Sequence, residues 1–138
     1  MNPTEKPGSA APTSQDWVEH FFRAIDRMDA EGFAGHFAVG GAFRFANQPP
    51  LVGPTAVAKG AQSIFTMLDA IRHEVLKHWL ADGDVLVEGV VHYQRAADHR
   101  HFAFPFLSVF EFEEMSPGPL RSYRVFVDSH ELFLPPGA

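Results

Sequence analysis

The chain has 138 residues, of which 46% are hydrophobic, and 11 basic against 17 acidic residues give it a net charge of −6. This length fits one domain that can bury a full core, and the negative charge is the wrong sign for a surface that binds nucleic acid. Because the sequence contains no cysteine, disulfides, thiolate zinc sites and cysteine nucleophiles are excluded.

The two ends of the chain are predicted to be tails around a single domain. Residues 1–13 are mostly Pro, Gly, Ser, Thr and Ala, a composition typical of disorder, and residues 135–138 are predicted to fray. Residues 14–134 should form the domain. No apolar run approaches the ~20 residues that span a bilayer, and no signal-peptide pattern opens the chain. We therefore expect a cytoplasmic protein without a membrane partner.

The first half of the domain shows helical periodicity. Apolar side chains recur at three- and four-residue steps between Trp17 and Met28, which indicates an amphipathic helix. Thr13 is predicted to cap this helix, and Ser14 is the alternative cap. The later elements predicted in this half are a short helix at about 31–38, a strand at 42–47 after a break at Gly40 and Gly41, and a helix that begins at Pro54 and has an apolar stripe from Val57 to Leu68.

From Ile71 onward the hydrophobic period changes to two, which is typical of strands. Short turn signals separate the strands, so successive strands should pair antiparallel. Three helices followed by a strand meander predict an α+β domain in which the helices pack on a curved antiparallel sheet. The strands are predicted at about 73–80, 85–95, 100–113 and 120–128.

The third of these strands carries an aromatic face. Its alternate residues are Phe102, Phe104, Phe106, Phe110 and Phe112, with Ser108 among them. The helices are the available cover for this face, which would then form core and the wall of an apolar pocket.

The face occupied by the preceding strand depends on the turn at Ala97 and Asp98. A two-residue turn places Tyr93 on the Phe face and turns His92 and Glu88 to the opposite face, whereas a three-residue turn reverses this assignment. The sequence pattern leaves both alternatives open.

Five segments follow one another along the chain: FFRAIDRMDAEGFAGHFA, FRFANQPPLVGPTAV, IRHEVLKHWLADGDVLVEGVVHYQR, FAFPFLSVFEF and YRVFVD. Taken in this order, they resemble the nuclear transport factor 2-like superfamily, also called the cystatin-like cone. The similarity covers residues 15–134 and is nearest to the SnoaL-like and ketosteroid isomerase-like group. It implies a conical pocket between the helices and the sheet. It also implies a homodimer formed through the outer sheet face, which here carries Val90, Leu107 and Val109.

The resemblance does not carry over two of the superfamily's catalytic machineries. Ketosteroid isomerase uses a Tyr and two carboxyl groups, and the corresponding positions here are Phe21, Ala46 or Asn47, and Ser108 or Leu107. Limonene epoxide hydrolase holds its water with several polar side chains, and only the Asn among them has a counterpart in this chain, Asn47. Neither activity is implied.

Scytalone dehydratase resembles the chain more closely at one position. That enzyme has a His at the start of the strand after the long helix, where this chain has His73, and a second His on the next strand, where His92 or Tyr93 stands. The resemblance implies that His73 carries a proton in general acid–base catalysis. Asn47 and Tyr123 would hold a carbonyl oxygen.

The sequence thus predicts a pocket for a small apolar molecule of polycyclic or aromatic type, with no cofactor and no metal. An enzyme of this kind would be an isomerase, cyclase or dehydratase, and the alternative is a non-catalytic binding module or dimeric structural module of the same fold. Asp26 is expected to make only a structural hydrogen bond. The predicted catalytic residues are His73, Tyr93 and His92, and the predicted substrate-binding residues are Asn47, Trp17, Phe21, Phe106, Ser108 and Tyr123.

Overall fold

The computed structural model describes residues 13–137, and the predicted N-terminal tail lies outside that range except for Thr13. The predicted α+β class is confirmed, with three α-helices on one curved six-stranded sheet. No helix in the described range is long and apolar enough to cross a membrane. The elements are α1 (Ser14–Asp26), α2 (Ala30–Ala34), β1 (Phe37–Phe45), β2 (Leu51–Val52), α3 (Pro54–Phe65), β3 (Leu68–Ala81), β4 (Asp84–Arg95), β5 (His101–Phe112), β6 (Leu120–Val127) and a short 3₁₀ helix (His130–Phe133).

Helix α1 begins where the sequence pattern places it. The backbone N–H of Asp16 donates to the Thr13 hydroxyl at 3.0 Å, so Thr13 is the N-cap. The apolar stripe of the helix, which includes Phe21, Phe22 and Ile25, is buried. The helix ends on Asp26, whose carboxylate faces β3 and contributes to the site described below.

Four element boundaries differ from the prediction. Helix α2 ends at Ala34, and β1 begins at Phe37 and continues through Gly40 and Gly41, which therefore do not break the chain. A side chain at Gly41 would collide with the Leu120 carbonyl, so glycine permits the irregular approach of β1 to β6. Helix α3 ends at Phe65, and Leu68 opens β3.

The sheet has the strand order β2-β1-β6-β5-β4-β3. Strands β3 to β6 form the predicted antiparallel meander, while β1 pairs with β6 in parallel, an arrangement that the local sequence pattern did not indicate. Strand β2 and the 3₁₀ helix were also not predicted, because elements of two and four residues carry no readable periodicity.

The register of the β4–β5 hairpin decides which side chains face inward. The backbone N–H of Arg95 donates to the Arg100 carbonyl at 2.9 Å across a four-residue loop. Tyr93 consequently pairs with Phe102 and lies on the Phe face, while His92 and Glu88 lie on the opposite face. The side assignment is the one expected for a two-residue turn, because both loops contain an even number of residues.

The helices cover the Phe face and close one end of the cone with aromatic rings. Phe21 is 0% exposed and is the centre of this packing. Its ring lies within 6 Å, centroid to centroid, of the rings of Trp17, Phe22, Phe33, His36, Phe110 and Tyr123. Phe106 and Tyr123 lie at the border of this packed cluster and also line the internal cavity of the domain.

Arg95 fastens the C-terminal segment to the β4–β5 hairpin. The side chain is only 4% exposed, and its Nη1 donates to the carbonyls of Leu132 and Leu134 at 3.0 and 2.8 Å. Its Nε and Nη2 donate to Asp98 at 3.0 and 2.7 Å, and these hydrogen bonds lower the pKa of Asp98 to about 2. The segment that carries Phe133 is thereby held in one place.

Candidate functional site

A cavity of about 50 Å³ lies between the helices and the inner face of the sheet. The polar side chains that line it are those of His73, Tyr93 and Tyr123, and the rest of the wall is hydrocarbon from residues such as Ile25, Phe65 and Phe106. No lysine, arginine or carboxylate belongs to this lining within residues 13–137. Such a space suits an uncharged molecule with one polar group.

His73 is held from one side by Asp26. Its ring Nδ1 lies 2.6 Å from Oδ1 of Asp26, and its backbone N–H donates to Oδ2 of the same carboxylate at 3.2 Å. Because a carboxylate only accepts hydrogen bonds, the proton of the neutral ring resides on Nδ1. The lone pair is then on Nε2, for which the described part of the chain provides no hydrogen-bond partner.

Two phenylalanines fix the plane of the His73 ring. The ring stacks on Phe22 at 4.4 Å with an interplanar angle of 8°, and it meets Phe106 at 5.5 Å and 82°. The His73 side chain is 8% exposed. His73 therefore lines the cavity with a ring whose orientation is already fixed by the carboxylate at Nδ1 and by the two phenylalanine rings.

Tyr93 lies diagonally across from His73 on the neighbouring strand, because Ile71 pairs with Tyr93 and His73 pairs with Val91. Within the described residues its hydroxyl has no hydrogen-bond partner, although the side chain is buried. Burial raises the pKa of Tyr93, and the charge of Asp26 raises it further. The phenol therefore keeps its proton near neutral pH and is available as a donor.

Tyr123 is a second buried phenol on the cavity wall. Its hydroxyl forms a hydrogen bond of 3.1 Å with the Ser108 hydroxyl. Burial raises the pKa of Tyr123, and the Ser108 hydrogen bond acts in the opposite direction. Ser108 therefore does not line the cavity itself but contacts Tyr123, which does.

The structure brings together several of the residues that the sequence singled out. His73, Tyr93, Phe106 and Tyr123 all line the cavity. Two others, Trp17 and Phe21, stack on each other at 5.2 Å in the aromatic cluster behind the wall. Those two rings support the site and do not line it.

His92 and Asn47, two of the predicted site residues, do not belong to the lining of this cavity. His92 is on the outer face of β4, where its Nε2 lies 3.1 Å from Oε1 of Glu74, because strand residues alternate between faces. Asn47 is exposed in the turn after β1. Of the two candidates for the second position of the dehydratase pattern, Tyr93 is the one that reaches the cavity.

Asp26 was predicted to have only a structural role, and its contact with His73 was not predicted. The position of Asp26 at the end of a helix could have indicated that its carboxylate has a partner. A carboxylate on the last residue of a helix faces the negative end of the helix dipole, so such a residue needs a compensating donor. The donor is His73, 47 positions later in the chain.

Two further histidines lie at the β4–β5 connection, His99 in the loop and His101 at the start of β5. His99 and His101 have a spacing that would suit two ligands, but the Nδ1 of His99 lies 2.6 Å from Asp69 Oδ2 on the surface. No group of three His, Cys, Asp or Glu side chains comes together in the described range.

Comparisons with known proteins identify relatives by sequence and by fold. The family model of the SnoaL-like domain matches residues 18–115. A search of curated proteins gives no match. Eight of the solved structures that share the fold are 11–16% identical to the chain.

Three of these structures are informative. A protein with a ketosteroid isomerase-like fold from Catenulispora acidiphila, in complex with trimethylamine, has a TM-score of 0.74 at 16% identity, covering 83% of this chain and 86% of that chain. A protein assigned provisionally as a SnoaL-like polyketide cyclase from Shewanella denitrificans has a TM-score of 0.75 at 12% identity, with coverage of 87% and 93%. The protein TerC, co-crystallised with polyporic acid, has a TM-score of 0.73 at 12% identity, with coverage of 86% and 96%.

Proposed function

The chain belongs to the SnoaL-like domain family, and on this premise we propose that its cavity binds a small, uncharged carbonyl compound and that His73 moves a proton next to the carbonyl. The observation that carries the proposal is the His73–Asp26 pair at 2.6 Å, which leaves Nε2 free in an apolar cavity. The neighbours in complex with trimethylamine and polyporic acid support a small molecule as the occupant.

The proposed chemistry uses only groups of the protein. Nε2 of His73 takes the proton from the carbon beside the carbonyl, and Asp26 stabilises the imidazolium that forms. The electron pair moves toward the carbonyl oxygen, which accepts a hydrogen bond from the Tyr93 hydroxyl. His73 then returns the proton to another carbon, which is an isomerisation, or to a leaving hydroxyl group, which is a dehydration. In a cyclisation the enolate carbon instead attacks a second carbonyl carbon of the same ligand, and His73 gives the proton to the alkoxide oxygen that this attack produces.

The volume of the cavity limits the size of the ligand that it can enclose. A volume of about 50 Å³ is far below the ~300–1,000 Å³ of pockets that enclose a drug-sized molecule. The polycyclic ligand expected from the sequence does not fit inside the cavity as the structure has it, so only a small head group enters. The same small volume favours the second candidate function, a binding module that holds its ligand without turnover.

The first test is a titration of the histidine rings by NMR with 2-butanone. We expect the ring signals of His73 to shift on addition of the ketone, because Nε2 faces the cavity, while His92 on the outer face serves as an internal control. The Tyr93→Phe variant should weaken binding, since the ketone oxygen loses its donor. An identical response of His73 and His92 would contradict the proposed site.

We further propose that the chain forms a homodimer through the outer sheet face. Leu107 is half-buried on that face and lies between Glu88 on β4 and the exposed Phe126 on β6. A face of mixed apolar residues can supply the ~800 Å² per partner of a stable interface. The parallel β1–β6 pairing places this face on one continuous sheet.

The Leu107→Glu substitution is expected to produce a monomer, because it places a second carboxylate beside Glu88 in the centre of the interface. Light scattering measures the mass of the wild type and the variant. The matched control is Val39→Glu, which puts the same charge on an exposed residue of β1. If Leu107→Glu leaves the mass of a dimer unchanged, this face is not the interface.

A further inference from the structure

A second hollow lies next to the cavity. Its volume is about 630 Å³, and it shares Phe43, Phe45 and Ile64 with the cavity wall. We call this hollow the outer groove. Its sides are the turn between β1 and β2, the end of α3 with Met67, and Phe133 of the C-terminal segment. Because the two spaces share these three residues, they lie side by side.

The outer groove is uncharged and mainly apolar, and Gln48 and Ser63 are the polar residues of its lining. Pro49, Pro50, Leu51 and Met67 provide hydrocarbon surface, and no charged residue belongs to its lining within residues 13–137. Phe133 is 47% exposed and lies edge-on to Phe45 at 6.4 Å. Contact with another apolar group would remove part of the exposed surface of Phe133 from water, and this burial is favourable in free energy.

We propose that the outer groove is a subsite for the apolar tail of the ligand and that Phe133 determines tail specificity. The ligand is then an elongated, uncharged carbonyl compound with a small head beside His73 and a hydrocarbon tail along Pro49, Pro50 and Phe133. This inference rests on the proposed function of the cavity. The tail is the occupant because the cavity accepts only a head group and the groove continues its wall.

The wall formed by Phe133 exists before a ligand arrives. Arg95 donates to the carbonyls on both sides of Phe133, those of Leu132 and Leu134, and Leu132 is buried. The backbone of the segment is therefore fixed against the β4–β5 hairpin. A preformed wall lets the tail bind without the cost of ordering this segment.

The experiment measures the Kd of a homologous series of methyl ketones, from 2-butanone to 2-nonanone, through the ring signals of His73. Each methylene that leaves water for the groove should lower the Kd about fourfold. In the Phe133→Ala variant this dependence on chain length should become shallower, so that 2-nonanone binds about tenfold more weakly and 2-butanone binds as before. The control variant is Leu80→Ala. Leu80 is 66% exposed and lies near the C-terminal end of β3, so its replacement should leave the Kd of every ketone in the series unchanged.

The outcomes separate this inference from the proposed function. If His73 responds to every ketone but the Kd does not depend on tail length, the tail subsite is wrong and the cavity stands. If the length dependence persists in full after Phe133→Ala, Phe133 does not determine specificity and the inference is overturned. If no ketone shifts His73, both proposals are wrong.

Discussion

The Asp26→Asn variant is expected to exchange the α-protons of 2-butanone with deuterated water at least ~100-fold more slowly than the wild type, because a positioned general base contributes about 10²–10⁴ in rate. Asp26 accepts from both the ring Nδ1 and the backbone N–H of His73. Asparagine has one acceptor oxygen and one donor nitrogen. If its oxygen keeps the backbone N–H, its amide donates to Nδ1, and the ring proton moves to Nε2, where it blocks the base.

Two measurements test this result. Proton NMR follows the exchange rate, and nitrogen NMR of the His73 ring reports which nitrogen carries the proton, a readout that a purely structural role of Asp26 would not change. The matched control is Asp29→Asn, since Asp29 caps α2 by accepting from the Gly32 N–H and asparagine caps helices equally well. Equal exchange rates in both variants and the wild type would contradict a role for Asp26 in proton transfer.

The Phe21→Ala variant should lose about 3–5 kcal/mol of its free energy of unfolding, as is typical of a fully buried phenylalanine. The side chain is completely buried, and the rings of α1, α2, β5 and β6 meet on it. Removing it leaves a cavity that the surrounding rigid rings cannot fill. Urea denaturation of the wild type and the variant measures the difference.

The control for this loss is Phe133→Ala, the same deletion at a half-exposed position, for which we expect a cost of about 1 kcal/mol. Similar losses in the two variants would mean that the aromatic cluster is not a tightly packed core. The end of the cone would then have room for a larger ligand than the cavity alone admits.

The meander was predictable from the sequence because its strands are long and alternate regularly. Strands β4 and β5 begin and end within one residue of their predicted bounds, and the short turns require neighbours to pair in sequence. The first half was less predictable. Gly40 and Gly41 look like a break, and only the contact of β1 with β6 explains why glycine is needed inside a strand.

The sequence could point to single positions of the candidate site but not to contacts between distant residues. His73 was singled out by the resemblance to scytalone dehydratase at the start of the strand after the long helix. Its partner Asp26 lies 47 residues earlier, and local patterns contain no information about such a contact. The face of His92 depended on whether the loop between β4 and β5 has an even or an odd number of residues, which composition does not determine.

The parallel pairing of β1 with β6 also sets the order in which the chain can fold during synthesis. Phe43 pairs with Tyr123, 80 residues later, so β1 has only the two residues of β2 beside it until the last strand has left the ribosome. A strand without its main partner exposes unsatisfied backbone groups and can pair with other chains. Aggregation therefore competes most strongly with folding before β6 emerges, and a polypeptide truncated ahead of residue 120 should depend on chaperones far more than the finished protein does.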